Sequence, residues 1–404
     1  MTIRHLRAAA TACAAALAML PAFAADPILI GASITQSPPG SVVQGTQVKD
    51  GMEILKDMVN AKGGVLGRQI KILYEDNQGI PEKGRAATEK LITSDKVVAL
   101  AGGHQSSVCL AEVEVAHRYK TPYVNTNCWS DDVRKRGYPE VFNTSPYNTL
   151  VSSSMATTLA TMGVKRVVAF AENTDYGIGQ AKLTGEMLKQ KAPNIEYRYE
   201  TLDRASKDFT AAILPLRANP PDVIVMSMLP PAAYIVMNQV YEQGVAPTSK
   251  TLLYDGGGLA DYPDFWQNVK EGGKYLLSFA LYHPAMPQTQ LAKDIATEYK
   301  KRTGNDVNRL VLQAADSLHL VLEGIKEAKS TDADKLATAM RTMKFDSIRG
   351  ITNFSTQAGF SSQQWLDIPY VNYELTAEKQ PVGQTVLVQG PGQKFDASKI
   401  VRPK

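Results

Sequence analysis

The feature that most constrains this chain is its order. A short apolar run, a helical pattern and another apolar run alternate along most of its 404 residues. "ILIGASI" at 28–34 precedes "QVKDGMEILKDMVNAKGG", in which Met52, Leu55, Met58 and Val59 share a helical face and Gly63 and Gly64 stop it. "QIKILYEDN" and "EKGRAATEKLITSD" follow, then "KVVALAGG" and "SSVCLAEVEVAHRYK", then "PYVNTN". A second run repeats the plan from "KRVVAFAEN" at 165 to "DFWQNV" at 264–269. Strands joined through helices pair in parallel, because only a crossover returns the chain to the same end of a sheet.

Two doubly wound α/β lobes with parallel sheets and about three hinge crossings fit this order. "EVFNTSPYN" and "KYLLSFALYHP", each flanked by proline and polar residues, read as crossings, and hinges are expected near 143–146, 278–283 and 351–355. Helical stretches are predicted at 288–303, 308–329 and 333–343, with strand-like segments after them. The expected division is 26–145 plus 283–350 in one lobe and 146–282 plus 351–404 in the other.

The start of the chain has a different character. Arg4 and Arg7 lead into the apolar stretch Ala8–Leu20 and then "PAFAADP", with small residues at Ala22 and Ala24. This reads as a signal peptide over residues 1–24, cleaved near Ala24, on an exported protein. Its removal takes away two arginines and no acid, lowering the formal charge from +4 to +2, so nothing in the balance calls for nucleic acid. No later segment is long and apolar enough to span a bilayer; "VIVMSMLPPAAYIVM" is interrupted by Pro230 and Pro231. After cleavage Cys109 and Cys128 remain, either as a disulfide suited to an oxidising compartment or as two separate thiols.

Ligands of open α/β sheets bind beyond the carboxyl ends of strands. That rule selects the loops "GGHQSS", "NTNCWSDD", "AENTDYG", "MLPPAAY" and "YDGGGLADY", which would meet between the lobes. Ser106 and Ser107 lack the glycines of a G-x-S-x-G nucleophile turn. "GIPEKGRA" at 79–86 places Arg85 and Ala86 where a phosphate loop needs lysine and a hydroxyl, and "YGIGQA" lacks a third glycine for a dinucleotide turn. His104, His117, His283 and His319 are scattered, with no metal-ligand spacing, so no metal or cofactor is expected. A serine-opened helix can instead bind a small carboxylate through its free N–H groups and hydroxyl, or Ser106 can simply cap its own helix. His104 is either a ligand contact or loop filler. Trp129, Tyr176, Tyr254 and Tyr282 lie near strand ends, where they would form flat pocket walls or pack in the core.

Four stretches, "DGMEILKDMVNAKGGVLGRQIKILYEDNQ", "GGHQSSVCLAEVEVAHRYKTPYVNTN", "VFNTSPYN" and "TDYGIGQA", occur in an order and spacing that resembles the periplasmic solute-binding proteins of branched-chain amino acid ABC transporters, the leucine/isoleucine/valine-binding type. The resemblance covers essentially the whole mature chain. It implies a type I, two-lobed hinge fold, a periplasmic location, no catalysis, a monomer, and closure on a small ligand that is then presented to a membrane permease. It further implies that Ser106 and Ser107 match a serine pair whose first member helps hold the ligand carboxylate. Asn127, Cys128 and Trp129 fall in the loop that contacts the head group, Tyr176 matches a cleft tyrosine, and Asp255 lies near the acid that meets a ligand ammonium. Cys128 and Trp129, with Leu229, Pro230 and Pro231, depart from the small residues usual in amino-acid binders. A hydrophobic amino acid is the first expectation, an aromatic or aliphatic carboxylate or small amide the second. The contrasting expectation is an exported serine hydrolase with His104 as base.

Overall fold

The computed structural model describes residues 26–352 and 354–404. The signal-peptide reading of residues 1–24, and Asn353 within the third expected hinge, lie outside them.

Strands β1 (Ile28–Ile34), β2 (Ile70–Asp76), β3 (Ala99–Gly103), β4 (Tyr123–Asn125) and β5 (Val141–Asn143) form a sheet in the order β2-β1-β3-β4-β5. Every pair in it is parallel. A second sheet contains β6 (Arg166–Glu172), β7 (Glu196–Leu202), β8 (Val223–Ser227), β9 (Leu252–Asp255) and β10 (Leu276–Ala280), again parallel. After a small hairpin of β11 (Phe345–Ser347) and β12 (Gly350–Thr352), β13 (Val371–Glu374) and β14 (Val386–Gln389) extend the second sheet antiparallel, in the order β14-β13-β10-β9-β8-β6-β7. The two lobes are thus α/β as expected, with an antiparallel edge on the second sheet. "KYLLSFALYHP" is mostly β10, an inner strand, so the crossing there starts only after Ala280 and the expected hinge at 278–283 begins inside the sheet.

The helix Val42–Ala61 packs against Arg309–Ala328 so closely that a Cβ on Gly51 would stand 2.2 Å from the Val311 carbonyl oxygen. Glycine is therefore what lets those two helices touch. Met52 and Leu55 enter the core, while Met58 and Val59 are half-buried at its margin. The helix Asn148–Met162 was not legible in the sequence. Its hydroxyl-rich "NTLVSSSMATTLATM" lies buried against the helix Asp175–Lys191, with Ser152 donating to the Gln180 carbonyl, so neither composition nor an amphipathic stripe marks it.

The chain passes between the two sheets after β5, after β10 and after β12. The first and third passages are tied by Arg134, which is buried. It donates to Gln364 (2.6 Å), to the Cys128 and Ser130 carbonyls (2.8 and 3.0 Å) and to the Ser145 and Pro146 carbonyls (3.2 and 2.6 Å). A buried cation without a carboxylate hydrogen bond is tolerated because these carbonyl and amide oxygens replace its hydration.

Candidate ligand-binding site

Strand order reverses beside β1 and β3 in the first sheet and beside β6 and β8 in the second. The loops leaving those strands and their neighbours converge on one small cavity. Gln44 reaches it after β1, His104 and Ser106 after β3, Asn127 and Trp129 after β4, Tyr176 after β6, Leu229 after β8 and Gly257 after β9. Arg309 completes the wall from the first turn of the helix Arg309–Ala328.

Ser106 is the first residue of the helix Ser106–Arg118 rather than its cap, which is Gln105. Its Oγ accepts from the N–H groups of Trp129 (3.1 Å) and Ser130 (3.0 Å), which fixes the β4 loop and leaves the hydroxyl proton free to donate. Trp129 meets Tyr176 edge-on at 5.9 Å across the cavity, and its indole Nε1–H donates to Asn127 Oδ1. The same Asn127 oxygen accepts from Arg309 Nη1 at 2.9 Å.

His104 Nδ1 lies 3.0 Å from the Gly102 carbonyl oxygen. A carbonyl only accepts, so Nδ1 carries the proton and Nε2 is left with a lone pair. Burial pushes the ring's pKa down to about 4, so the imidazole is neutral. His104 Nε2, Tyr176 Oη, Gln44 Oε1 and Arg309 Nε all lack a hydrogen-bond partner within the protein although each is buried. Buried polar groups are normally paired; Arg309 Nε faces Asp261 Oδ2 at 3.6 Å, and the three others, around a single cavity, fit a place built to contact a solute.

Arg309 is 2% exposed. Asn308 caps its helix through Leu310 N–H and Val311 N–H, and anchors to Gln47 and the Asp261 carbonyl, so the guanidinium is held at the cleft. It donates to the Gly257 carbonyl (2.7 Å) and Tyr262 Oη (3.1 Å), and lies against the rings of Trp129 and Tyr262 at 5.1 and 5.8 Å. Asp261 Oδ2 is 3.6 Å from Nε, too far for a hydrogen bond. Gly258, with φ of 69°, lets the loop turn there, and a Cβ on it would meet both Asp261 Oδ2 and Arg309 Nε.

The remaining sequence-derived residues fall elsewhere. Ser107 Oγ accepts from Asp175 N–H at 3.2 Å, a contact between the two halves of the chain outside the cavity wall. Cys128 is disulfide-bonded to Cys109, so the paired reading of the two cysteines holds, and its sulfur packs in the first lobe. Asp255 does not line the cavity: its carboxylate accepts from the N–H groups of Gly257 and Leu259 and from the Ser278 hydroxyl. Burial raises its pKa to about 6 against those donors. Tyr254 donates to Asn372 inside the second lobe, and Tyr282 lines a separate groove with Trp266 and Pro284. Sequence reasoning missed Arg309 and Gln44 because it searched strand-to-helix loops alone. A lone arginine directly after a capping asparagine and before the apolar run "LVL" was the available signal for Arg309.

Among the described residues no group of three His, Cys, Asp or Glu could hold a metal, and no helix is long and apolar enough to cross a membrane. Ser106 Oγ makes no hydrogen bond to His104, whose Nε2 has no partner within the protein, so the two form no nucleophile–base pair.

Known proteins share this architecture. The branched-chain amino acid transporter substrate binding protein LivJ from Streptococcus pneumoniae, in complex with isoleucine, superposes with a TM-score of 0.77 at 21% identity, over 90% of this chain and 100% of that one. A solute binding protein of an ABC transporter from Rhodopseudomonas palustris, in complex with 3,4-dihydroxybenzoic acid, also gives 0.77 at 21% identity, over 94% and 99%. In sequence the chain is 25% identical to the Leu/Ile/Val-binding protein BraC3 of Rhizobium johnstonii, over 85% of this chain and 90% of that one. It is 26% identical to an amino acid binding protein of Pseudomonas aeruginosa, where the match spans 52% of this chain and 56% of that protein. The periplasmic binding protein family matches residues 27–366, and the chain belongs to that family.

Proposed function

We propose that this protein is a non-catalytic, monomeric solute-binding protein. It would be exported by a signal peptide cut near Ala24 and deliver a small carboxylate-bearing solute to the permease of an ABC importer. A hydrophobic or branched-chain amino acid is one ligand class, by likeness to relatives named for leucine, isoleucine and valine. An aromatic or aliphatic carboxylate is the other, by likeness to a neighbour holding a dihydroxybenzoic acid. The lobes 26–145 plus 283–350 and 146–282 plus 351–404 would close on the solute about the passages after β5, β10 and β12.

One observation carries this reading: a cavity at the carboxyl ends of both sheets, where His104 Nε2, Tyr176 Oη and Gln44 Oε1 stand unpaired beside the Arg309 guanidinium. The free hydroxyls of Ser106 and Tyr176, beside the Arg309 guanidinium, favour a carboxylate there. A hydrolase is disfavoured because Ser106 Oγ makes no hydrogen bond to His104, the one imidazole on the cavity wall.

A thermal-shift screen of the unfolded and refolded mature chain against hydrophobic amino acids, aromatic acids, dicarboxylates and small amides tests the proposal. A ligand at a hundred times its Kd stabilises by about 2.7 kcal/mol. Stabilisation by a carboxylate is the expected result. Stabilisation by amides alone, or by nothing in the panel, would count against it.

A further inference from the structure

His104 imposes a finer demand on the solute. Its Nδ1–H is committed to the Gly102 carbonyl, so Nε2 presents only a lone pair, and that lone pair has no donor within the protein. The ring is 3% exposed and lines the cavity, so in the closed cleft bulk water is not at hand to supply a donor. A solute seated there therefore gains by bringing an N–H or O–H, and one without it leaves a buried acceptor unpaired.

The charge of that donor follows from the rest of the wall. None of the residues lining the cavity is an aspartate or glutamate, and the one formal charge among them is the Arg309 guanidinium. Asp255 is turned away to three donors of its own. Asp261 faces the Nε side of Arg309 at 3.6 Å and gives its other oxygen to Tyr373. An ammonium would enter a low-dielectric space beside a fixed cation with no carboxylate on the wall to pair it. A neutral hydroxyl would satisfy the imidazole without that penalty, while the carboxylate of the same molecule takes the Ser106 and Tyr176 hydroxyls.

Resting on the proposed carboxylate-binding role of this cleft, we propose that His104 is a specificity-determining residue that accepts a hydrogen bond from a neutral donor on the solute, so that the site selects hydroxy acids over α-amino acids. This is a narrower claim than carboxylate binding and separates from it experimentally.

The test is titration calorimetry of the whole mature chain with four probes: 4-hydroxybenzoate, benzoate, 2-hydroxy-4-methylpentanoate and leucine. At least one hydroxy acid should bind about tenfold or more tightly than its partner lacking a neutral hydroxyl, the worth of one buried hydrogen bond. His104→Phe, which keeps a flat ring and removes the acceptor, should bring that pair to within about twofold. His104→Gln, which restores an acceptor oxygen, should recover part of the preference, and the wild-type ordering alone decides should the Phe variant not fold. Leucine binding more tightly than its hydroxy analogue, or a preference that survives His104→Phe, overturns the inference and leaves the carboxylate-binding reading standing. Binding of none of the four by a protein that another carboxylate of the screen stabilises overturns the inference alone, and binding of no carboxylate at all overturns both.

Discussion

A guanidinium buried in the first turn of a helix opposes the positive end of the helix dipole, and it is expensive to remove from water. Arg309 occupies that position, offset by two aromatic faces, Asn127 Oδ1, the Gly257 carbonyl and, 3.6 Å from its Nε, the Asp261 carboxylate. So unfavourable a placement points to a charge held for a solute rather than for the fold. Asp255 illustrates the opposite case. The family resemblance put it near an ammonium, yet its oxygens organise the loop Gly256–Leu259, whose Gly257 carbonyl orients Arg309. Asp255→Asn should destabilise the protein by about 1–3 kcal/mol, because the amide nitrogen would face a donor. It should also weaken amino acids and simple carboxylates alike, as read by melting and calorimetry. Loss of amino-acid binding alone would restore Asp255 as an ammonium partner.

At the scale of elements, the helix Ser106–Arg118 carries the cavity serine at one end and is fixed along its length by two further groups. The Cys109–Cys128 disulfide joins it to the β4 loop, across 19 residues of chain. Closing a loop of that size restricts the unfolded chain by about 3 kcal/mol, so Cys109→Ala with Cys128→Ala should lower stability by that order in denaturant unfolding. An unchanged midpoint would show that the bridge does not bear on stability.

Glu112 on the same helix accepts from Tyr123 Oη, and burial raises its carboxyl from 4.5 to about 7. The folded chain thus holds this proton more tightly than the unfolded chain. The associated stability is complete below about pH 4.5 and is lost as pH rises through 7. Between pH 5 and pH 8, urea unfolding should shift in favour of Glu112→Gln relative to wild type by on the order of 1–3 kcal/mol. A difference that stays constant with pH would contradict this.

Legibility of the elements followed from burial. Strands such as β1 and β6, apolar and bounded by turns, stood out in the sequence. Asn148–Met162 did not, because Ser152, Ser154 and Thr158 are buried while the helix as a whole mimics a loop in composition. Within the second run, Pro215 divides "DFTAAILPLRAN" into two short helices, Thr210–Ile213 and Pro215–Ala218. In the site, residues on strand-end loops were readable from topology, including His104, Ser106, Asn127, Trp129 and Tyr176. Arg309 and Gln44 were not, because they come from helices whose approach to the cleft depends on how the halves of the chain pack.

For the whole molecule, polar contacts join the halves near the cleft, beside the apolar contact of Trp129 with Tyr176 and Phe279. Ser107 Oγ accepts from Asp175 N–H, Arg204 donates to the Gly79 carbonyl at 2.9 Å, and Arg309 donates to the Gly257 carbonyl. Such contacts exchange readily with water, so a solute that pairs the cavity groups can shift an open–closed equilibrium. X-ray scattering should show a smaller radius of gyration once ligand saturates the protein, and no compaction with a verified ligand would contradict hinge closure. The most direct measurement of the central claim is calorimetric titration, side by side, of wild type and Arg309→Met with the tightest-binding carboxylate from the screen. The account expects one-to-one binding by the wild type and a loss of roughly ten- to a hundredfold in the variant, the worth of a hydrogen bond to a charged group. Equal affinity in the two proteins, or a stoichiometry other than one, would contradict a single carboxylate site centred on that arginine.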